Sequence, residues 1–283
     1  MAKRVWTAAL LGCAALALAS CNASKNDSVS GTGSLDAAEQ ASETLLKTGG
    51  NGDDWSAIGY SYDEQRFSPL TDISDKNVGK LGIAWTADLD DARGQEATPV
   101  VVDGVMYVTH AWSKVSAWDA ATGKPLWKFD PKVPGERAVS ACCDVVNRGV
   151  AVWGDKLFVG ALDGRLIALD KKSGKELWST QTFDTSKPYT ITGAPRVVKD
   201  MVLIGNGGAE FGVRGYVTAY DADTGKERWR FYTAPNPTKA KDGAASDDIF
   251  ASKANATWSN KGEWQTSGGG GTVWDAIVYD KDL

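Results

Sequence analysis

Four chemically unlike side chains occupy one recurring place in this 283-residue chain. Counted back from the corner aspartate that closes the first strand of each repeating unit, Glu96 lies seven residues before Asp103 and Arg148 seven before Asp155. Thr192 lies eight before Asp200, and Trp274 six before Asp280. Two adjacent cysteines, Cys142 and Cys143, stand just ahead of Arg148. Glu210 enters by another route, in the loop Asn206-Gly-Gly-Ala-Glu-Phe-Gly-Val-Arg-Gly215, about five residues longer than its counterpart Ala161–Arg165. Its glycines let a ligand or ion approach the backbone, and a carboxylate beside carbonyl oxygens suits a hard cation such as Ca²⁺. One carboxylate does not by itself make a cation site.

The elements that must position these groups are repeats. Ala117-Trp-Asp-Ala-Ala-Thr-Gly-Lys-Pro-Leu-Trp127, Ala168-Leu-Asp-Lys-Lys-Ser-Gly-Lys-Glu-Leu-Trp178 and Ala219-Tyr-Asp-Ala-Asp-Thr-Gly-Lys-Glu-Arg-Trp229 place their tryptophans 51 residues apart, twice. In each, Asp-x-x-(Thr/Ser)-Gly-Lys is a turn: the aspartate bonds amides further on, and the glycine supplies the positive φ that closes a hairpin. Alternating strands such as Val105–Thr109, Lys156–Gly160 and Met201–Gly205 precede the turns. A period of this length predicts an all-β fold, a β-propeller of four-stranded blades; a two-sheet sandwich does not explain the equal spacing. The first strand of a blade lines the central channel, so Glu96, Arg148, Thr192 and Trp274 should converge at one end of the axis.

Composition bounds the setting. A net charge of -5 and a single histidine give no reason to expect nucleic acid or an anionic membrane surface as a partner. The amino terminus has the layout of a secretory signal, Lys3-Arg4 followed by an apolar run from Val5 to Leu18. It ends in Leu18-Ala19-Ser20-Cys21, which resembles the lipobox of bacterial lipoproteins, with Cys21 as the lipidation site; ordinary cleavage near Ala23 is the alternative. The division expected is a signal over residues 1–21, a flexible polar tether over 22–50 and the propeller over 51–283. Either way the folded part lies in the periplasm, anchored through lipid or free, and only Cys142 and Cys143 remain in it. Adjacent residues have Cα atoms about 3.8 Å apart, closer than ordinary disulfides prefer. Reduced cysteines and an eight-membered disulfide ring are both open, and an oxidising compartment favours the ring.

Six stretches carry a family resemblance: Arg66-Phe-Ser-Pro-Leu70, Gly94-Gln-Glu-Ala-Thr-Pro99, Ala141-Cys-Cys-Asp-Val-Val-Asn-Arg-Gly149, Tyr189-Thr-Ile-Thr-Gly-Ala-Pro-Arg196, Gly205-Asn-Gly-Gly-Ala-Glu-Phe-Gly212 and Gly268-Gly-Gly-Gly-Thr-Val-Trp-Asp275. Together they resemble the pyrroloquinoline quinone (PQQ)-dependent alcohol dehydrogenases, nearest to the soluble quinohaemoprotein type. The resemblance implies a quinone sandwiched between a Cys142–Cys143 disulfide ring and the indole of Trp274. It implies that Glu96, Arg148 and Thr192 bond the quinone edge, that Gly208 and Ala209 contribute backbone contacts and Thr272 a side-chain contact, and that Glu210 is a Ca²⁺ ligand. The implied reaction is oxidation of an alcohol, with an aspartate as base and electrons passed to a cytochrome or a fused haem c domain. The family fold has eight blades and about four are recognisable here, so the chain reads as an amino-terminal fragment whose catalytic aspartate and haem motif would follow Leu283. The competing expectation is a cofactor-free propeller lipoprotein that binds partner proteins in outer-membrane assembly. A scaffold of that kind has no need of the axial cluster in register.

Overall fold

The computed structural model describes residues 34–283; Cys21, the lipobox and the signal lie outside the described residues. Among the described residues, twelve strands form three antiparallel four-stranded sheets, each in simple sequence order. The first comprises β1 (Val100–Val102), β2 (Val105–Thr109), β3 (Val115–Asp119) and β4 (Pro125–Phe129). The second comprises β5 (Ala151–Trp153), β6 (Lys156–Gly160), β7 (Arg165–Asp170) and β8 (Glu176–Gln181). The third comprises β9 (Arg196–Val198), β10 (Met201–Gly205), β11 (Tyr216–Asp221) and β12 (Glu227–Tyr232). Register repeats with the sequence: Val105 faces Asp119, Lys156 faces Asp170 and Met201 faces Asp221. The short strands β1, β5 and β9 are neighbours along the axis, and apolar side chains such as Val100, Leu157, Phe158 and Ile204 fill the space between the sheets.

The repeated turn is built as its chemistry demands. Asp119 Oδ1 accepts from the amide and hydroxyl of Thr122 at 2.8 and 2.7 Å, and Asp170–Ser173 and Asp221–Thr224 do the same. Gly123, Gly174 and Gly225 sit at φ near +70°, and each lies under a tryptophan ring from the preceding unit. A Cβ on Gly225 would stand 2.6 Å from the ring of Trp178, and one on Gly174 would enter the ring of Trp127. The indole N–H groups of Trp85, Trp127 and Trp178 donate to the carbonyls of Ala120, Lys171 and Ala222 at 3.1, 3.1 and 3.2 Å. Each docking tryptophan thus contributes packing and one satisfied donor. Trp85 is a docking residue that the repeat does not mark, because the stretch before it lacks the Asp-x-x-Thr-Gly-Lys turn.

Two expectations need correction. The segment 22–50 is not a tether throughout: Ala37–Thr48 is an α-helix, α1. A capping box between Asp36 and Glu39 opens it, and Gly49 at φ 72° closes it. It packs on the second sheet, with Leu46 buried, Ser42 Oγ accepting from the Gly154 amide at 2.9 Å and the Leu46 carbonyl accepting from Tyr62 N–H at 2.7 Å. The fourth recognisable unit is not a sheet among the described residues. Gly268, Gly269, Gly270 and Gly271 all have φ between 69° and 77°, a conformation that no strand can adopt. The glycine run and the segment after it are held instead by single bonds, such as those from Gly215 N–H to the Gly270 carbonyl at 2.9 Å and from Arg196 Nε to the Ile277 carbonyl at 2.8 Å. No helix of the described residues is long and apolar enough to cross a membrane.

Candidate functional site: a cleft at the axis

The ends of the innermost strands are stitched together by backbone bonds. Thr98 N–H donates to the Arg148 carbonyl at 3.3 Å, and Arg148 N–H to the Thr192 carbonyl at 3.0 Å. This brings the side chains ahead of β1, β5 and β9 to one place, as the register of the repeats predicts. Arg148 Nη2 lies 2.7 Å from Glu96 Oε2, Arg148 Nη1 donates to Thr192 Oγ1 at 2.6 Å, and the guanidinium carbon stands 4.8 Å from the Trp274 ring centre. Beside Arg148, the fully buried Asn147 donates to the Gly160 carbonyl at 2.8 Å and accepts from Gly149 N–H at 3.1 Å, which fixes the chain on either side of the arginine.

A cleft of about 140 Å³ opens against this cluster, lined among others by Cys142, Cys143, Thr192, Gly208, Glu210, Thr272 and Trp274. The two cysteines are exposed, with Cα atoms 3.8 Å apart and their sulfurs in bonding contact. Trp274 is 46% exposed, and its backbone lies tight on the segment ahead of β9: a Cβ on Gly193 would stand 2.7 Å from the Trp274 carbonyl oxygen. Glu210 sits in the single turn Ala209–Phe211, flanked by Gly208 at φ 105° and Gly212 at φ 81°. Its carboxylate has no hydrogen-bond or ion-pair partner among the described residues, nor do the amides of Gly208 and Ala209 donate to one. Ala209 itself does not line the cleft, whereas Glu96 joins through a neighbouring cavity that shares Arg148.

Thr190, Val146 and Asp144 also line the cleft, and sequence reasoning did not single them out. Asp144 follows the cysteine pair at φ 73°. Hydrogen bonding from Arg93, and then from the amides of Val145 and Gly94, holds its carboxyl well below the usual carboxylate range.

The donor set fits a flat, anionic, ring-shaped cofactor. The cysteine pair and the indole offer apolar faces, while Arg148, Thr192 and the unengaged amide of Gly208 offer donors at the edge. The set fits a cation less completely: among the described residues no three His, Cys, Asp or Glu side chains cluster as a metal site, so Glu210 supplies one carboxylate and carbonyl or cofactor oxygens would have to complete the six to eight that Ca²⁺ takes.

Residues 55–283 match the family model described as the glucose/ethanol/alcohol dehydrogenase β-propeller domain of PQQ enzymes. The chain is 58% identical over 243 residues to the dehydrogenase subunit of the quinone alcohol dehydrogenase of Gluconobacter oxydans, covering 84% of this chain and 32% of that protein. It is 51% identical over its whole length to the quinohemoprotein alcohol dehydrogenase ADH IIB of Pseudomonas putida, 38% of which it covers. Among solved structures, the quinohemoprotein alcohol dehydrogenase of Comamonas testosteroni superposes with a TM-score of 0.80 at 48% identity, over 88% of this chain and 36% of that one. The chain therefore spans about a third of the length of the relatives it matches. With the propeller sheets, the axial cleft and these matches in hand, the chain belongs to the family of PQQ-dependent alcohol dehydrogenase β-propeller domains.

Proposed function

We propose that this chain forms the quinone-binding part of a periplasmic alcohol dehydrogenase, which oxidises an alcohol to its aldehyde and passes the electrons to a cytochrome or a fused haem domain. The observation that carries this reading is the meeting of the cysteine pair, Trp274, Arg148 and Thr192 in one cleft, with Glu96 paired to Arg148 from the adjoining cavity. When bound, PQQ supplies an electrophilic carbonyl that takes two electrons from the alcohol.

The chain's own residues do the rest. Cys142 and Cys143, joined as a disulfide, and the indole of Trp274 form the two walls and exclude water from the faces of the cofactor. Arg148, now lying over the indole at 4.8 Å, moves to the edge and offsets cofactor carboxylate charge through charge-assisted bonds. Thr192, Thr272 and the amides of Gly208 and Ala209 orient the ring, and Glu96 holds Arg148 in place. Glu210, unpaired among the described residues, donates its carboxylate to Ca²⁺. The aspartate that would take the alcohol proton is not assigned among these residues; Asp144 and Glu96 are both engaged by arginines. Cys21, lipidated, tethers the protein to a membrane.

Adding PQQ and Ca²⁺ to the complete gene product, then assaying alcohol-dependent dye reduction, tests the reading. Turnover that needs both additions supports it. A purified, folded product that binds no quinone contradicts it.

A further inference from the structure

The segment ahead of β1 and the segment ahead of β5 carry charges in opposite order. Arg93 and Glu96 face Asp144 and Arg148, so two ion pairs join the segments three and four residues apart, Arg93 to Asp144 and Glu96 to Arg148. The first pair is more than a surface contact. Asp144 Oδ1 accepts from Arg93 Nη2 and from the Val145 amide at 2.8 Å; its Oδ2 accepts from Arg93 Nε at 3.2 Å and the Gly94 amide at 3.1 Å. A third segment joins in: Arg93 lies 6.0 Å from the centre of the Trp112 ring, and Trp112 N–H donates to the Val145 carbonyl at 2.8 Å. Asp144 is the residue after Cys143 and lines the same cleft.

We propose that Arg93 and Asp144 are positioning residues for the cleft: their ion pair clasps the segment bearing Glu96 to the segment bearing the cysteine pair and Arg148, and so sets the distance between the cysteine wall and the charged edge. The clasp has a second effect, which rests on the quinone reading given above. An unpaired carboxylate at position 144 would oppose an anionic ligand, and Arg93 offsets that charge from the side away from the cleft.

The side chains are 48% and 30% exposed, and ion pairs this open add little to global stability. Loss of the clasp should therefore act on the site and leave the melting temperature nearly unchanged. The test uses the complete gene product with Asp144→Asn, Arg93→Met and Arg93→Lys. The first readout needs no quinone: the rate at which dithiothreitol opens the cysteine pair, or, if the pair is isolated reduced, the rate at which iodoacetamide labels it. The second is the dissociation constant for PQQ. D144N and R93M should each raise the cysteine rate by about tenfold, the worth of one charge-assisted bond; R93M, which also leaves the Asp144 carboxylate unpaired, should weaken PQQ binding by about tenfold and D144N, which removes that carboxylate, by less, while R93K, which keeps the charge, should stay much nearer wild type. Folded D144N and R93M proteins with cysteine rates within about twofold of wild type would overturn the clasp. Should D144N fail to fold, R93M at its exposed position decides. If wild type binds no PQQ, the quinone reading fails and the cysteine rate alone judges the clasp.

Discussion

The interfaces between sheets and the cleft on the axis follow opposite rules. At the interfaces the same residue types return at the same place: Trp127 over Gly174, Trp178 over Gly225, each indole donating to a carbonyl of the next unit. On the axis the equivalent positions hold a carboxylate, a guanidinium and a hydroxyl, Glu96, Arg148 and Thr192, which bond to one another rather than to the scaffold. Repetition marks what supports, and departure from it marks the residues we propose to bind.

Two Glu–Arg pairs draw the contrast in one chemistry. Arg196, the first residue of β9, is paired with Glu64, and both side chains are below 10% exposed. Arg148 is paired with Glu96, whose side chain is 41% exposed and borders a cavity. The first pair is sealed and the second is open to exchange partners.

The largest expected effect is on the sealed pair. Glu64→Ala leaves the Arg196 charge buried without its partner and should lower unfolding stability by about 3–5 kcal/mol in a denaturant titration. A loss below about 1 kcal/mol would mean that the pair is no more structural than an exposed one. Next comes the repeating interface. Gly225→Ala puts a Cβ 2.6 Å from the Trp178 ring at φ +68°, costing about 1–2 kcal/mol for the left-handed backbone and about 1–3 kcal/mol for overpacking. Chemical denaturation should show this loss, with PQQ affinity of the folded fraction unchanged; a selective loss of affinity would blur the division between scaffold and site.

A smaller effect concerns the proton on Tyr107, which lies at the interface of the first two sheets and donates to the Lys171 carbonyl at 3.2 Å. Burial, assisted by the charges of Asp103 and Asp170, pushes its phenol up to about 12. The unfolded phenol ionises near 10, so between roughly pH 10 and 12 the unfolded chain holds fewer protons than the folded one. Stability from this group is thus complete below pH 10 and falls by up to about 1.4 kcal/mol per pH unit as pH rises through that window. Tyr107→Phe should flatten the slope relative to wild type, and parallel curves for the two proteins would contradict the assignment.

Much of this was readable in the residues because it depends on local chemistry. Asp-x-x-(Thr/Ser)-Gly-Lys encodes its own turn through bonds spanning three residues, and once three turns are placed the register carries Glu96, Arg148 and Thr192 to the axis. What escaped depends on distance or on masking. Arg93 and Asp144 are 51 residues apart, and neither residue type signals the other. The Asp36–Glu39 capping box announces α1, yet it sits in Ser-, Ala- and Gly-rich sequence that reads as a tether. Trp85 docks like the others without a repeated turn before it, and four consecutive left-handed glycines give the segment before Trp274 a shape that strand periodicity does not foresee.

The central claim is that the non-repeating residues on the axis form a quinone site, and a titration of the complete gene product with PQQ in the presence of Ca²⁺, read by tryptophan fluorescence, tests it most directly. Arg148→Ala should weaken binding by roughly 10- to 100-fold, the loss of charge-assisted bonds worth about 1.5–3 kcal/mol, while the melting temperature stays close to wild type. Equal affinity in wild type and Arg148→Ala would contradict the account.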